Sequence, residues 1–90
     1  MVIAFAQYGI IDEMPSKTTI ELHNISVLKC LEHLARQYHF SLAKIIPGDN
    51  RLNRELVIFV NGVSIDKTSG LHTVINDNDR VLLVGVVSGG

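Results

Sequence analysis

The order strand, strand, helix, strand, short strand, strand predicts an α+β domain with one helix packed on a face of a mixed sheet. Three observations predict it: polar and apolar residues alternate from Lys17 to Leu22, one apolar stripe recurs at helical spacing from Val27 to Tyr38, and Asn61-Gly62 separates two β-favouring runs.

Val2 to Ala6 is a short apolar run that reads as the first strand, and after the Pro15-Ser16 break Lys17 to Leu22 has the period of a half-buried second strand. Together they predict a hairpin. Asn24 and Ser26 supply helix-start chemistry, and Val27, Leu28, Leu31, Leu34, Ala35 and Tyr38 then form one apolar stripe. Lys29, Glu32, His33, Arg36 and Gln37 fill the other side, so the helix lies across one face of the sheet. From Phe40 to Arg54 there is no clean period, and Pro47-Gly48-Asp49-Asn50 signals a turn; the segment reads as an irregular connection. Leu56 to Val60, the Asn61-Gly62 turn and the return run Val63 to Ile65 predict a second hairpin. Four turn formers, Asn76 to Asp79, precede the last strand, Arg80 to Val84, which runs on through Gly85, Val86 and Val87 into Ser88-Gly89-Gly90. The predicted division is a domain over residues 1–87 and a flexible tail over 88–90.

Ninety residues, nearly half of them apolar, suffice for one modest core without disulfides or metals. The net charge is −1, and lysines and arginines are scattered, which argues against a nucleic-acid partner. A lone cysteine, Cys30, makes no internal disulfide and fits a reducing, cytoplasmic setting. Met1 to Tyr8 is too short for a membrane span, lacks a basic lead-in and runs into Asp12 and Glu13, so neither a signal peptide nor a membrane segment is expected.

The stretch from Asp77 through Arg80, Val81, Leu82, Leu83 and Val84 to Gly89-Gly90 resembles the ending of the molybdopterin synthase small subunit and thiamine sulfur-carrier family, whose fold is the ubiquitin-like β-grasp. Phe5-Ala6-Gln7 is similar to the Phe-Ala-Gln that closes the first strand in the molybdopterin branch, and Val60-Asn61-Gly62 matches its turn. These matches cover both ends and the middle of the chain; the connection from Phe40 to Arg54 carries none. Two departures stand out. Asn78 replaces the usual turn glycine, a substitution that a left-handed position tolerates best. Gly85-Val86 replaces the usual prolines and removes their stiffening.

The resemblance implies a mixed sheet of four to five strands with one main helix, and a carrier that is no enzyme itself. Its Gly90 carboxylate would be adenylated by a ubiquitin-activation-like enzyme using ATP and magnesium, then converted to a thiocarboxylate. The implied sulfur acceptor is a larger synthase subunit in molybdopterin-type or tungsten-pterin cofactor synthesis. Alternatives are the thiamine pathway, or a ubiquitin-like modifier or binding module using the same Gly-Gly tail. The molybdopterin branch is favoured by Phe5-Ala6-Gln7 and by the long connection after the helix. Val87, Ser88 and Gly89 would thread into the partner, where residues small or lacking a Cβ let a narrow channel close on the backbone. Any side chain on Gly90 would crowd the acyl carbon as AMP and then sulfur exchange there. Family members contact partners at the positions of Phe5 and Val84.

Strand alternation supplies a separate reading: with Val81 and Leu83 facing the core, Arg80, Leu82 and Val84 fall on the other face. Leu82 and Val84 are then either an exposed docking patch or half of a strand buried on both sides. No catalytic constellation is predicted. His23, His33, His39 and His72 lack metal-site spacing, Cys30 reads as a partly buried structural thiol, and Asp77 and Asp79 read as turn formers rather than an acid–base pair.

Overall fold

β1 (Ile3–Gln7) and β2 (Lys17–Ile20) form the antiparallel hairpin expected from the alternation, with Ile3 opposite Ile20 and Ala6 opposite Lys17. The computed structural model describes residues 2–22, 24–48 and 51–86. β4 (Leu56–Val60), β5 (Val63–Ser64) and the last strand, β7 (Arg80–Gly85), complete a five-stranded sheet of order β2-β1-β7-β4-β5. β1 and β7 run parallel at its centre and every other pair is antiparallel, so the sheet is mixed. A second, two-stranded pairing joins β3 (Ile25–Ser26) to β6 (Val74–Ile75). Two residues are too few to show a period, and the sequence reading did not contain this pair.

The single α-helix, α1, spans Val27–Tyr38. Ser26 caps it: its Oγ accepts the Lys29 N–H at 3.1 Å while its own backbone stays extended. Asn24, the other expected starter, takes a left-handed turn conformation (φ 55°) instead. At the far end His39 enters the left-handed region and donates its backbone N–H to the Ala35 carbonyl, closing the last turn. Val27, Cys30, Leu31 and Leu34 are buried against the sheet, each aliphatic side chain contributing about 1.5–3 kcal/mol. Half-buried Tyr38 ends the stripe by sharing a hydrogen bond of 3.0 Å with Thr18 on β2.

Cys30 is more deeply placed than its position on the stripe suggested, with 1 % exposure, and burial pushes its thiol from 9.0 to about 12. A raised thiol pKa means that the unfolded chain ionises first as pH rises, so the contribution to stability is complete below about pH 9 and declines above it towards 12. The native thiol is therefore expected to resist a disulfide reagent at pH 8 and react once, fully, on denaturation; Cys30→Ala should flatten the loss of stability above pH 9. Stoichiometric thiol labelling and alkaline melts of the two proteins test this.

β1 alternates cleanly. Ile3, Phe5 and Gln7 point inwards, at 0, 1 and 2 % exposure, while Ala4 and Ala6 face out. Phe5 therefore belongs to the core with Ile20, Leu31, Leu34, Ile58, Val81 and Leu83. A partner-docking role for the Phe5 side chain is ruled out by its phase on the strand.

The connection from Phe40 to Arg54 is more ordered than expected. Phe40 and Ile45 insert into the core, a short 3-10 turn at Leu42–Lys44 is capped by Ser41, and Asn53 ties the segment down. Its N–H donates to the Ile45 carbonyl at 2.7 Å, and its Oδ1 accepts the Glu55 N–H at 2.9 Å. Asp49 and Asn50 of the expected turn lie outside the described residues, with Gly48 and Arg51 bridged across them.

Asn61 and Gly62 take φ of 53° and 84°, the pair of left-handed residues that a two-residue hairpin turn needs. Asn78 is likewise left-handed at 68°, as its place in the last turn predicted. Asn61 and Asp79 link the two turns: Asn61 Nδ2 donates to Asp79 Oδ1 at 2.8 Å, and Asp79 Oδ2 accepts the Asn76 N–H at 2.8 Å. Asp79 is thereby a structural turn former.

Candidate functional site

With α1 and the core on one side, the other side of the sheet is covered by no element among the described residues. Its composition follows from register. On β7, Val81 and Leu83 are buried while Arg80, Leu82 and Val84 face out, as alternation required. Leu82 stands between Ala6 on β1 and Phe59 on β4, and Val84 lies opposite Val57. Ala6, Leu82, Phe59, Val57 and Val84 are all half-buried, which makes a continuous apolar strip across the three central strands. Above it lies a shallow depression of about 1330 Å³, with Tyr8 at 59 % exposure on its wall. An apolar strip of this kind, left facing water, is a candidate docking surface.

Phe59, Ala6 and Tyr8 were absent from the sequence-based site. The same period-2 phase that placed Leu82 outward could have found Phe59, since Ile58 beside it is fully buried. On β1 the outward positions beside Phe5 are held by Ala4 and Ala6.

The strip runs to the root of the tail. β7 and β4 stay paired to their ends, Gly85 opposite Leu56, and the Val86 N–H donates to the Glu55 carbonyl at 2.7 Å. Ile10 leans over this point: a Cβ placed on Gly85 would sit 3.6 Å from Ile10 Cδ1. Val86 itself is half exposed. Val87, Ser88, Gly89 and Gly90, the residues expected to thread into a partner and to be activated, lie outside the described residues. β7 thus carries the outward apolar residues Leu82 and Val84 along its length and leads at the Val84 end towards residues 87–90.

Ile10 and Tyr8 are held there by Gln7, the one buried polar residue among the described residues. Its Oε1 accepts the N–H groups of Ile10 and Ile11, both at 2.9 Å. Its Nε2 faces the carbonyls of Ile11, Met14 and Pro15 at 2.9, 3.2 and 3.3 Å. One side chain therefore replaces the backbone pairing that the loop between β1 and β2 lacks.

Among the described residues no three His, Cys, Asp or Glu side chains gather to hold a metal, and no helix is long and apolar enough to cross a membrane. His33, His39 and His72 are dispersed over α1, its cap and the turn before β6; His23 lies outside the described residues.

Comparison with known proteins agrees with this architecture. The ThiS family matches residues 2–90. A protein of Archaeoglobus fulgidus named as a candidate sulfur carrier is 31 % identical over 71 residues, which cover 79 % of this chain and 81 % of that one. Among solved structures, a chain of the Amycolatopsis orientalis BexX/CysO complex superposes with a TM-score of 0.81 at 18 % identity, covering 98 % of this chain and 99 % of its own. The small archaeal modifier protein 1 of Methanosarcina acetivorans gives 0.72 at 23 % identity, covering 99 % and 96 %. At these identities the likeness is one of fold, and the fold is the ubiquitin-like β-grasp.

Proposed function

The chain belongs to the ThiS family, and on that premise we propose that it is a sulfur carrier whose Gly90 carboxylate is adenylated, converted to a thiocarboxylate and used to deliver sulfur in molybdopterin-type or tungsten-pterin cofactor synthesis. The single observation that carries this reading is the family match through residues 89–90. The uncovered strip of Ala6, Leu82 and Phe59, leading along β7 to the root of that same tail, supports it.

A carboxylate is a poor electrophile, and activation changes that. A carboxylate oxygen of Gly90 attacks the α-phosphorus of ATP held with magnesium by a ubiquitin-activation-like partner, and pyrophosphate leaves. A sulfur nucleophile then attacks the acyl carbon and AMP departs. This chain supplies the acyl group and no general acid or base; both bound nucleotide and metal belong to the partner. Glycine at 89 and 90 keeps Cβ atoms away from the attacked carbon, and Val87, Ser88 and Gly89 would thread into the partner. Leu82 and Val84 dock. A larger synthase subunit then receives the tail and holds the pterin precursor, a branch supported by Phe5-Ala6-Gln7 and the long connection after α1.

Co-expression with the cognate adenylating enzyme and a sulfur source, followed by intact-mass measurement, should show a gain equal to sulfur minus oxygen on the full chain and none after deletion of Gly90. An unshifted full chain beside a competent partner would sink the proposal. The likeness to a small archaeal modifier protein motivates a second readout from the same cells. A ladder of heavier bands on denaturing gels that needs Gly90 would assign the tail to lysine conjugation instead.

A further inference from the structure

The docking strip is rimmed by charge of one sign. Lys17 flanks it on the edge strand β2, opposite Ala6, and Arg80 stands at the start of β7, opposite Ala4 and remote from the tail. Both side chains line the depression, both residues are exposed, and no carboxylate lines it. The ion pairs among the described residues are Lys29–Glu32 and Lys44–Glu13, so neither Lys17 nor Arg80 has a carboxylate partner there. Asp79, the acid next to Arg80 in the chain, is turned to Asn61 and the Asn76 N–H. In a protein of net charge −1, one face thus gathers two unneutralised cations around an apolar floor.

We infer that the partner of this face is a protein surface with an apolar centre, seated over Ala6, Leu82 and Phe59, and carboxylates placed against Lys17 and Arg80. The inference rests on the docking reading above and deepens it by naming the partner's chemistry and orientation. The cations lie along one side and at the end away from the tail, whereas the three residues Tyr8, Val57 and Val84 at the other end carry no charge. Acidic groups on the partner therefore fix which way the carrier lies, and with it the direction in which the tail enters. Two other occupants fit worse. A second copy of this depression would meet the same two cations and bring no lining carboxylate to receive them. A phosphate backbone would find too few cations and an apolar floor.

Charge on an interface rim acts on encounter and register more than on chemistry, and this sets the test. Adenylation of the full chain by the cognate adenylating enzyme is followed as pyrophosphate release, at salt from about 0.05 to about 0.5 M, a range that shortens the screening length several-fold. For the wild type KM should rise with salt. Lys17→Glu and Arg80→Glu should each raise KM about tenfold at low salt with kcat kept, the double variant should reverse the salt dependence, and Lys67→Glu, away from the face, should behave as wild type. Arg80→Gln, which adds no like charge beside Asp79, should raise KM in the same direction, and thermal melts should show all of these folded. Wild-type KM and salt dependence in both reversals would overturn the inference while leaving the sulfur-carrier proposal intact. Absence of both adenylation and binding for the wild type would overturn both. Sedimentation showing a dimer that Leu82→Asp dissolves would assign the face to a second copy and overturn this inference alone.

Discussion

Leu82→Asp should lower affinity for the adenylating partner about a hundredfold while the free domain stays folded, whereas Gly90→Ala should dock normally and yield little thiocarboxylate. Leu82 is half-buried on the uncovered face, between Ala6 and Phe59, so in the free protein a carboxylate there keeps access to water. In the complex it would be buried without a partner, at a cost of about 2–3 kcal/mol, which corresponds to the hundredfold loss. The core among the described residues is defined by Ile3, Phe5, Leu34, Ile58 and Leu83, and replacement of Gly90 is expected to act at the acyl carbon. Titration calorimetry and intact-mass measurement on the same samples separate the two effects. Val84→Asp, nearer the tail, should follow Leu82→Asp. Ala6→Glu deletes no large side chain and should also block docking; if it binds as wild type while Leu82→Asp does not, the strip is not the docking face and the Leu82 effect is one of folding.

The parts of this molecule that were legible beforehand are those in which many residues repeat one period. The helix was visible because Val27, Leu31 and Leu34 recur with the turn of the helix, and β7 because alternation from Arg80 to Val84 separates a core face from an outer one. Turns that require positive φ were legible through their chemistry, at Asn61, Gly62 and Asn78. What was not legible is tertiary. The two-residue strands β3 and β6 exist only because they pair with each other, and the connection after α1 is ordered by Asn53 reaching back to Ile45, neither of which leaves a local pattern. Phe5 was misplaced for a different reason: a motif position was carried over without its phase, although Ile3, Phe5 and Gln7 share one side of the strand. The same phase, applied to β4, would have put Phe59 in the site. Lys17 and Arg80 looked like scattered surface charge because the two strands that bring them together are separated by most of the chain.

Gln7→Leu should be the most damaging single substitution outside the aliphatic core, lowering stability by about 3 kcal/mol or more. Leucine fills similar space, so the loss measures hydrogen bonding. Two N–H groups, of Ile10 and Ile11, and the carbonyls of Ile11, Met14 and Pro15 would lose their side-chain partner, several of them in buried positions. For a domain with about 5–15 kcal/mol in total, that is a large share, and the melting temperature should drop by roughly 15 °C. Gln7→Glu should be at least as harmful at neutral pH, since a carboxylate would face three carbonyls that need a donor. Hydrogen exchange distinguishes a local from a global effect: the Ile10 and Ile11 amides should lose protection first, while Leu34 and Leu83 keep theirs until the whole domain opens. Because the same loop carries Tyr8 to the proposed docking depression and Ile10 to Gly85 at the end of β7, partner affinity measured well below the melting temperature should fall as well. Unchanged protection at Ile10 and Ile11 in Gln7→Leu would show that the loop is held by the burial of Ile11 and Met14 alone, and the role given to the Gln7 amide would be wrong.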